Sequence, residues 1–141
     1  AQQIINTINE IANNSKNIQA HKSLGRSDYH GMLNVCGNLS RGCCAGNSSS
    51  GIKETPALNC PTVDIGSRQK GRLRASNVID AGYDIEEIYN AIKKCVENDQ
   101  FRKECAEGDN PYGKGNSGKI IVDTLATIPI NTALLQKQMT Y

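Results

Sequence analysis

Two short apolar runs with the composition of strands stand among helical patterns, and this alternation constrains the fold more than any other feature of the chain. One run covers residues 62–66, follows Pro61 and ends in glycine, and the other covers residues 77–80. Short runs of this kind, bounded by turn residues, are typical of buried strands. Because helical patterns precede and follow them, we predict an α/β fold in which helices cover a parallel sheet.

Five segments carry apolar residues at helical spacing. The clearest begins after Asp84, which stands three residues before Glu87 as in a capping box. In the last segment we expect Ile120, Ile121 and Leu125 to face inward. The five segments are residues 2–13, 27–35, 52–58, 85–96 and 119–125, and a short extended piece is expected at residues 17–20.

The segment CGNLSRGCCAG, residues 36–46, follows neither period. It contains three glycines and lacks β-branched apolar residues. We therefore predict an irregular link here, and the composition of residues 110–116 predicts a second loop.

The chain has 141 residues, which is the length of one domain. None of its apolar stretches approaches the ~20 residues that span a bilayer, and its first residues lack the basic start and apolar core of a secretory signal. We therefore expect a cytoplasmic protein with no membrane contact. The first residue is not Met, which fits a piece of something longer.

Six cysteines would allow three disulfides in a small secreted domain. Without a signal peptide, and with several of them on apolar faces, free buried thiols are the favoured interpretation. The adjacent Cys43 and Cys44 do not supply the C-x2-C spacing of a zinc site, so we predict no metal. The net charge of +2 is too small to indicate a polyanionic partner.

The segment GNSSSG, residues 46–51, has the composition of a phosphate-binding turn. Small residues let an anion approach the backbone, and unpaired amides and the dipole at a helix start favour it. The hydroxyls of Ser48, Ser49 and Ser50 add further donors. Ser and Asn are also ordinary helix caps before a solvated loop, and the residues alone leave both interpretations open.

Glu54 and Arg68 are the charged candidates near this turn. A carboxylate would repel phosphate, so Glu54 suits ribose hydroxyls, although an acidic residue in a first helical turn also simply favours the dipole. Arg68 follows the first strand, where a forked guanidinium fits a diphosphate. The basic run that it opens, with Lys70, Arg72 and Arg74, could instead be a solvated loop or a nucleic-acid contact. Nucleic acid is disfavoured, because no broader basic face or interleaved aromatic residues accompany the run.

Four linked motifs, GNSSSGIKE, PTVDIGSRQKGR, NVID and NPYGKGN, stand in this order along the chain. The order of these motifs, and separations between them that are close to those usual in the family, make the chain resemble the C-terminal domain of the hydrolysing UDP-N-acetylglucosamine 2-epimerases. These are enzymes of sialic-acid and legionaminic-acid synthesis. The resemblance covers nearly the whole sequence. Non-hydrolysing relatives usually carry a DSGG-type turn and a T-E-R-P-like segment in place of GNSSSG and RQ-x-GR, which favours the hydrolysing branch.

This resemblance implies the C-terminal half of a two-domain GT-B architecture. The whole chain, residues 1–141, would then be a single partial domain with a Rossmann-like three-layer arrangement and an incomplete parallel sheet. It also implies that Ser48 and Ser49 contact phosphate, that Glu54 contacts the ribose, and that Arg68 contacts the diphosphate and is the catalytic residue. The implied set of UDP-binding residues is Asn47, Ser48, Ser49, Ser50, Gly51, Glu54 and Arg68.

The implied reaction starts with loss of UDP and of the C2 proton, which gives a 2-acetamidoglucal intermediate, and addition of water then gives N-acetylmannosamine. Donors on this domain would stabilise the charge that develops on the β-phosphate, while the proton-transferring groups belong mainly to a missing N-terminal domain. No cofactor is implied, and the full-length protein is expected to be a homo-oligomer. His21 and His30 match no catalytic position of the family and are expected at the surface.

In the family, a short apolar strand runs directly into the GN of the serine turn, and residues 36–46 depart from this pattern. Three alternatives to a hydrolysing epimerase stay open. They are a non-hydrolysing epimerase, a catalytically inactive nucleotide-binding remnant, and a glycosyltransferase of the same architecture.

Overall fold

The computed structural model describes residues 2–136. Helices and short strands alternate along the chain, with one π-helical turn at Val35–Leu39 and one 3-10 turn at Thr55–Leu58. The elements are α1 (Gln2–Asn14), α2 (Gly25–Asn34), β1 (Cys44–Gly46), α3 (Ser50–Lys53), β2 (Thr62–Ile65), β3 (Val78–Ala81), α4 (Ile85–Glu97), α5 (Asp99–Glu107), α6 (Ser117–Thr127) and α7 (Thr132–Leu135).

The three strands form one parallel sheet in the order β1-β2-β3. β2 is the middle strand, and its residues Thr62, Val63 and Asp64 are all buried. The register places Gly46 opposite Asp64 and Val63 opposite Ile79. Because the strands run in one direction, their carboxyl ends lie at the same edge of the sheet. The predicted α/β class with a Rossmann-like parallel sheet is confirmed.

Helices cover both faces of this sheet. Val63 belongs to the apolar core that the sheet forms with α4 and α5. Successive strand residues point to opposite faces, so Thr62 lies on the other side, where it meets α3. The buried members of the apolar core are Val63, Ala81, Ala91, Cys95, Phe101 and Cys105.

Thr55 fastens α3 to the sheet through buried hydrogen bonds. Its Oγ1 donates to the carbonyl oxygen of Gly51 at 2.7 Å, and it accepts from Thr62 Oγ1 and from Asn77 Nδ2, both at 2.9 Å. Asn77 Nδ2 also donates to the Cys60 carbonyl oxygen at 2.7 Å. Buried hydrogen bonds of this kind fix geometry, because each broken one leaves a polar group without water or a partner.

The segment predicted as an irregular link contains two regular pieces. The π-helical turn continues α2, and residues 44–46 form β1 in place of a loop. Arg102 on α5 explains how the glycine-rich residues between them are ordered, since its guanidinium crosses over to their backbone. The guanidinium donates to the carbonyl oxygens of Gly42 at 3.0 Å, Cys36 at 2.9 Å and Ser40 at 2.9 Å.

The apolar side chains of α6 are exposed. Ile120, Ile121 and Leu125 have exposed fractions of 55%, 57% and 69%, so the predicted inward orientation is wrong. Within residues 2–136, α6 makes no extensive contact with another element, so its apolar face stays largely exposed there. Residues 17–20, predicted as extended, lie in a turn and a loop and join no strand. None of the helices in residues 2–136 has the length and apolarity to cross a membrane.

All six thiols are free; Cys60, Cys95 and Cys105 are buried, as predicted, whereas Cys36, Cys43 and Cys44 are only half-buried. Burial raises the pKa of Cys60 to about 12 and that of Cys105 to about 11. These thiols therefore stay protonated at neutral pH and act as small apolar side chains.

Arg74 forms an internal ion-pair network with two strand carboxylates. Its Nη2 donates to Asp64 Oδ2 at 3.0 Å, and its Nε donates to Asp80 Oδ1 at 2.7 Å. Burial raises the pKa of Asp64, and the charge of Arg74 opposes this rise. Arg74 is thereby part of the fold, whereas Lys70 and Arg72 of the same basic run are exposed.

We predict that Arg74→Ala lowers the free energy of unfolding by about 3 kcal/mol at neutral pH, because it leaves the buried Asp64 carboxylate without its partner. Burial raises the pKa of Asp64 in the folded state, and removal of Arg74 raises it further, so the loss should shrink as the pH falls through this raised pKa and the unpaired carboxyl takes up a proton.

Urea unfolding measures both effects, with Arg72→Ala as the control that removes an exposed charge from the same segment. The control should differ from the wild type by less than about 0.5 kcal/mol. Equal stabilities of the two variants would contradict a structural role for the Arg74 ion pairs.

Candidate functional site

The serine loop, residues 47–49, leaves the carboxyl end of β1 and meets the segment that leaves β2. Arg68 Nη1 donates to the carbonyl oxygen of Asn47 at 2.8 Å, and Gln69 Nε2 donates to the same oxygen at 2.7 Å. Gly46 begins the turn with a φ of 152°, in a region that side chains rarely adopt. The geometry thus brings Arg68 next to the serines, at the sheet edge where ligands of parallel α/β folds bind.

Two backbone donors of the serine loop are free. Within residues 2–136, the N–H groups of Ser48 and Ser49 donate to no protein acceptor. The next three amides are used, since Ser50 donates to Ser48 Oγ at 3.3 Å, Gly51 to the Ser48 carbonyl and Ile52 to the Ser49 carbonyl, each at 3.1 Å.

The helix that follows the serine loop is shorter than the motif suggests. α3 has only four residues before the chain passes into the 3-10 turn, so its dipole is small. A positive potential at this turn therefore depends mainly on the guanidinium of Arg68. This corrects the weight that the sequence places on the helix dipole.

Gly51 is a buried residue of α3 on the side that faces the sheet. A Cβ atom added there would lie 3.0 Å from Thr62 Cγ2, which is closer than ordinary side-chain contacts. Glycine at this position is explained by the packing of α3 on β2, and a ligand contact through Gly51 stays a prediction.

Two side chains of α2 touch residues predicted to bind the ligand. His30 Nε2 lies 2.7 Å from Glu54 Oε2, and the Tyr29 hydroxyl lies 2.7 Å from Ser50 Oγ. Tyr29 and His30 are half-buried, which corrects the surface position expected for His30, whereas His21 is exposed. Burial also raises the pKa of Tyr29, so that its hydroxyl stays neutral. No local signal joins these residues, because the two contacts span 21 and 24 positions.

The NPYGKGN loop reaches the rim of the site through Tyr112. Its hydroxyl donates to the carbonyl oxygen of Leu73 at 2.9 Å, and Lys53 Nζ lies 5.9 Å from the centre of its ring. Tyr112 therefore joins the segment after β2 to the end of α3.

A cavity of about 380 Å³ lies at the carboxyl ends of β2 and β3. Ser67, Lys70 and Tyr83 are among its lining residues, and none of the seven predicted ligand residues is. The Ser67 N–H donates to the Tyr83 hydroxyl at 3.4 Å. Hydrogen bonding from the Ser67 side chain first, and from its N–H second, lowers the pKa of the Tyr83 phenol. Among residues 2–136, no three His, Cys, Asp or Glu side chains come close enough to hold a metal ion.

Comparison with known proteins gives one family match and several relatives. The family model described as UDP-N-acetylglucosamine 2-epimerase matches residues 1–126. The matched range contains the whole sheet, the serine loop, Glu54 and Arg68.

Two of the relatives carry the word "hydrolyzing" in their names. The GDP/UDP-N,N'-diacetylbacillosamine 2-epimerase (hydrolyzing) of Campylobacter jejuni is 37% identical over 101 residues, which is 68% of this chain and 24% of the relative. The UDP-N,N'-diacetylbacillosamine 2-epimerase (hydrolyzing) of Legionella pneumophila is 33% identical over 96 residues, with the same two shares. Polysialic acid biosynthesis protein P7 of Escherichia coli is 36% identical over 96 residues, 67% of this chain and 23% of the relative. The chain thus spans about a quarter of the length of these relatives.

We predict that Gln69→Glu destabilises the protein by about 2 kcal/mol, because a buried carboxylate would replace the amide that donates to the Asn47 carbonyl. Gln3→Glu on the exposed surface of α1 adds the same charge without burial and serves as the control. Urea unfolding at pH 7 compares the two, and hydrogen exchange reports whether the serine loop has loosened. If Gln69→Glu proved as stable as the control, the hydrogen bond to Asn47 would not hold the loop.

Proposed function

Because this chain belongs to the UDP-N-acetylglucosamine 2-epimerase family, a family of enzymes, we propose that it is the UDP-sugar-binding part of a hydrolysing epimerase. The full enzyme would convert UDP-N-acetylglucosamine and water to N-acetylmannosamine and UDP. The chain would supply part of the C-terminal half of a GT-B architecture, and an N-terminal domain would complete the active site. A share of about a quarter of the relatives' length supports this division of labour.

The observation that carries the proposal is the contact between Arg68 and the serine loop. One N–H of the guanidinium is used on the Asn47 carbonyl, so the side chain is anchored beside the free amides of Ser48 and Ser49. A guanidinium has five N–H donors, and the others stay available for an anion. A diphosphate would meet a fixed cation and two backbone donors together, which is the donor set that such a group prefers.

The remaining residues take roles that fit their surroundings. Glu54, which directly follows α3, would accept hydrogen bonds from the ribose hydroxyls, and Ser50 would add a hydroxyl at the same side of the turn. Asn47 and Gly51 would act mainly through the backbone, the first by anchoring Arg68 and the second by bringing α3 close to the sheet.

In the reaction, UDP leaves as the C2 proton is lost, and the sugar becomes 2-acetamidoglucal before water adds. Arg68 and the serine amides would stabilise the negative charge that grows on the β-phosphate as the C1–O bond breaks. The groups that move the C2 proton would come mainly from the N-terminal domain. No cofactor is required, since the leaving diphosphate takes the electron pair of the broken bond.

The names of the relatives favour the hydrolysing branch. Two of them are called hydrolyzing, at 37% and 33% identity, whereas a UDP-N-acetylglucosamine 2-epimerase of Neisseria meningitidis is 32% identical over 72 residues. A non-hydrolysing epimerase and an inactive nucleotide-binding remnant are the alternatives. We also propose a homo-oligomer for the full-length enzyme.

We predict that UDP raises the melting temperature of the 141-residue chain in a concentration-dependent way. At about one hundred times the dissociation constant, the stabilisation should be about 2.7 kcal/mol. Arg68→Ala should remove most of it, because losing a charge-assisted contact with phosphate costs about 2–3 kcal/mol. Thermal unfolding with and without UDP measures the effect.

Arg72→Ala is the matched control, since it removes an exposed arginine four positions away and should keep the full response to UDP. The absence of any shift at millimolar UDP in the wild type would reject nucleotide binding. An equal shift in Arg68→Ala and Arg72→Ala would reject the role of Arg68.

A longer protein that contains this segment should release free N-acetylmannosamine and UDP when it is incubated with UDP-N-acetylglucosamine. Arg68→Ala should slow this release by about 100-fold. Chromatography of the products decides among the branches. UDP-N-acetylmannosamine would indicate the non-hydrolysing branch, UDP binding without turnover would indicate a remnant, and transfer of sugar to an acceptor would indicate a glycosyltransferase.

A further inference from the structure

We propose that His30 is a positioning residue of the nucleotide site, which holds the carboxylate of Glu54 so that its second oxygen is presented to the ribose hydroxyls. This inference rests on the proposed function, because it assumes that Glu54 receives the ribose of a uridine diphosphate. It adds to that function a residue of α2, a helix outside the four sequence motifs.

The geometry of the pair is that of a donor holding one oxygen of a carboxylate. His30 Nε2 lies 2.7 Å from Glu54 Oε2. An ionised carboxylate only accepts hydrogen bonds, so Nε2 must carry the proton and donate. The other oxygen, Oε1, accepts no hydrogen bond within residues 2–136, and the Glu54 side chain is 44% exposed. One oxygen is thus occupied by the protein and the other is open to a ligand.

α2 is fixed well enough to act as a support. Leu33 on this helix is buried, and the Tyr29 hydroxyl makes a second contact with α3 through Ser50 Oγ at 2.7 Å. The backbone of Glu54 is held as well, since its N–H donates to the Ser50 carbonyl at 3.0 Å. Two consecutive residues of α2 therefore contact the first residue of α3 and the residue that directly follows it.

The benefit to binding comes from order that exists before the ligand arrives. A glutamate side chain has three rotatable bonds, and freezing them when a ligand binds opposes binding. A hydrogen bond to a fixed imidazole restricts these bonds in advance, which raises affinity without any contact between His30 and the nucleotide. The effect should therefore appear only with ligands that use the Glu54 carboxylate.

His21 shows what a histidine without this role looks like in the same chain. It is exposed, and its only hydrogen bond within residues 2–136 is a local one to Gln19 Oε1 at 3.3 Å, two positions away. His21→Ala is for this reason the matched control for His30→Ala.

The experiment measures dissociation constants of the 141-residue chain by isothermal titration with UDP and with 2′,3′-dideoxy-UDP, which lacks the ribose hydroxyls. His30→Ala should weaken UDP binding about fivefold and leave the dideoxy ligand unchanged, because a hydrogen bond of this kind contributes modestly and acts here only through Glu54. His30→Gln, whose amide Nε2 can donate from a similar position, should recover most of the affinity. Adding His30→Ala to Glu54→Ala should cause no further loss, since the two residues act as a unit.

The outcomes distinguish failure of the inference from failure of the proposed function. Wild-type protein that does not bind UDP overturns both. Wild-type binding that His30→Ala leaves unchanged overturns the inference alone, and so does an equal loss for UDP and dideoxy-UDP, which would mark a general structural effect. Far-UV circular dichroism checks that the variants fold, and His30→Gln still tests the inference if His30→Ala does not.

Discussion

The described part of the fold depends on the burial of β2, whose two faces have different chemistry: one is apolar and the other forms hydrogen bonds. Val63 joins the apolar core under α4 and α5, and this face supplies the hydrophobic stabilisation. Thr62 turns to the opposite side and enters a network with Thr55 and Asn77 that holds α3. A strand that was apolar on both faces would pack as tightly, but it would not fix the direction in which α3 leaves the sheet. The polar face therefore sets the position of the serine loop.

The two arginines that follow β2, Arg68 and Arg74, turn in different directions and have different partners. Arg74 turns back to Asp64 and Asp80, and its Nε and both Nη groups are used inside the protein. Arg68 turns towards the neighbouring strand, and within residues 2–136 it gives only Nη1 to the Asn47 carbonyl. Two residues of one basic run thus have opposite electrostatic roles. Arg74 neutralises the buried Asp64 carboxylate. Arg68 remains a cation beside the free amides of the serine loop, and our proposal pairs this positive charge with the diphosphate.

Local sequence patterns predict the elements that are stabilised mainly by their own residues. β2, β3 and α4 follow from apolar runs and from the Asp84 cap, whose side chain accepts from the Glu87 N–H at 3.0 Å. β1 could not be predicted in this way, since it has three residues without β-branching and the segment before it is ordered by Arg102, a residue 60 positions from Gly42. The apolar face of α6 was predicted correctly as a pattern and wrongly as a contact. A period identifies an apolar face but does not supply the surface that covers it.

The candidate site likewise contains residues that the sequence identifies and residues that only the structure brings together. The serine turn and Arg68 stand out in the sequence because their chemistry is local, whereas His30 and Tyr29 act only through contacts that span more than twenty positions. Both of these contacts connect α2 to α3, and α3 is itself held to β2 by Thr55. Phosphate and ribose would consequently be received by groups fixed to one support, the central strand, through two successive layers of hydrogen bonds. Under our proposal, such a site would lose little order on binding UDP, so that more of the interaction with the diphosphate would remain available to stabilise the leaving group as the bond to the sugar breaks.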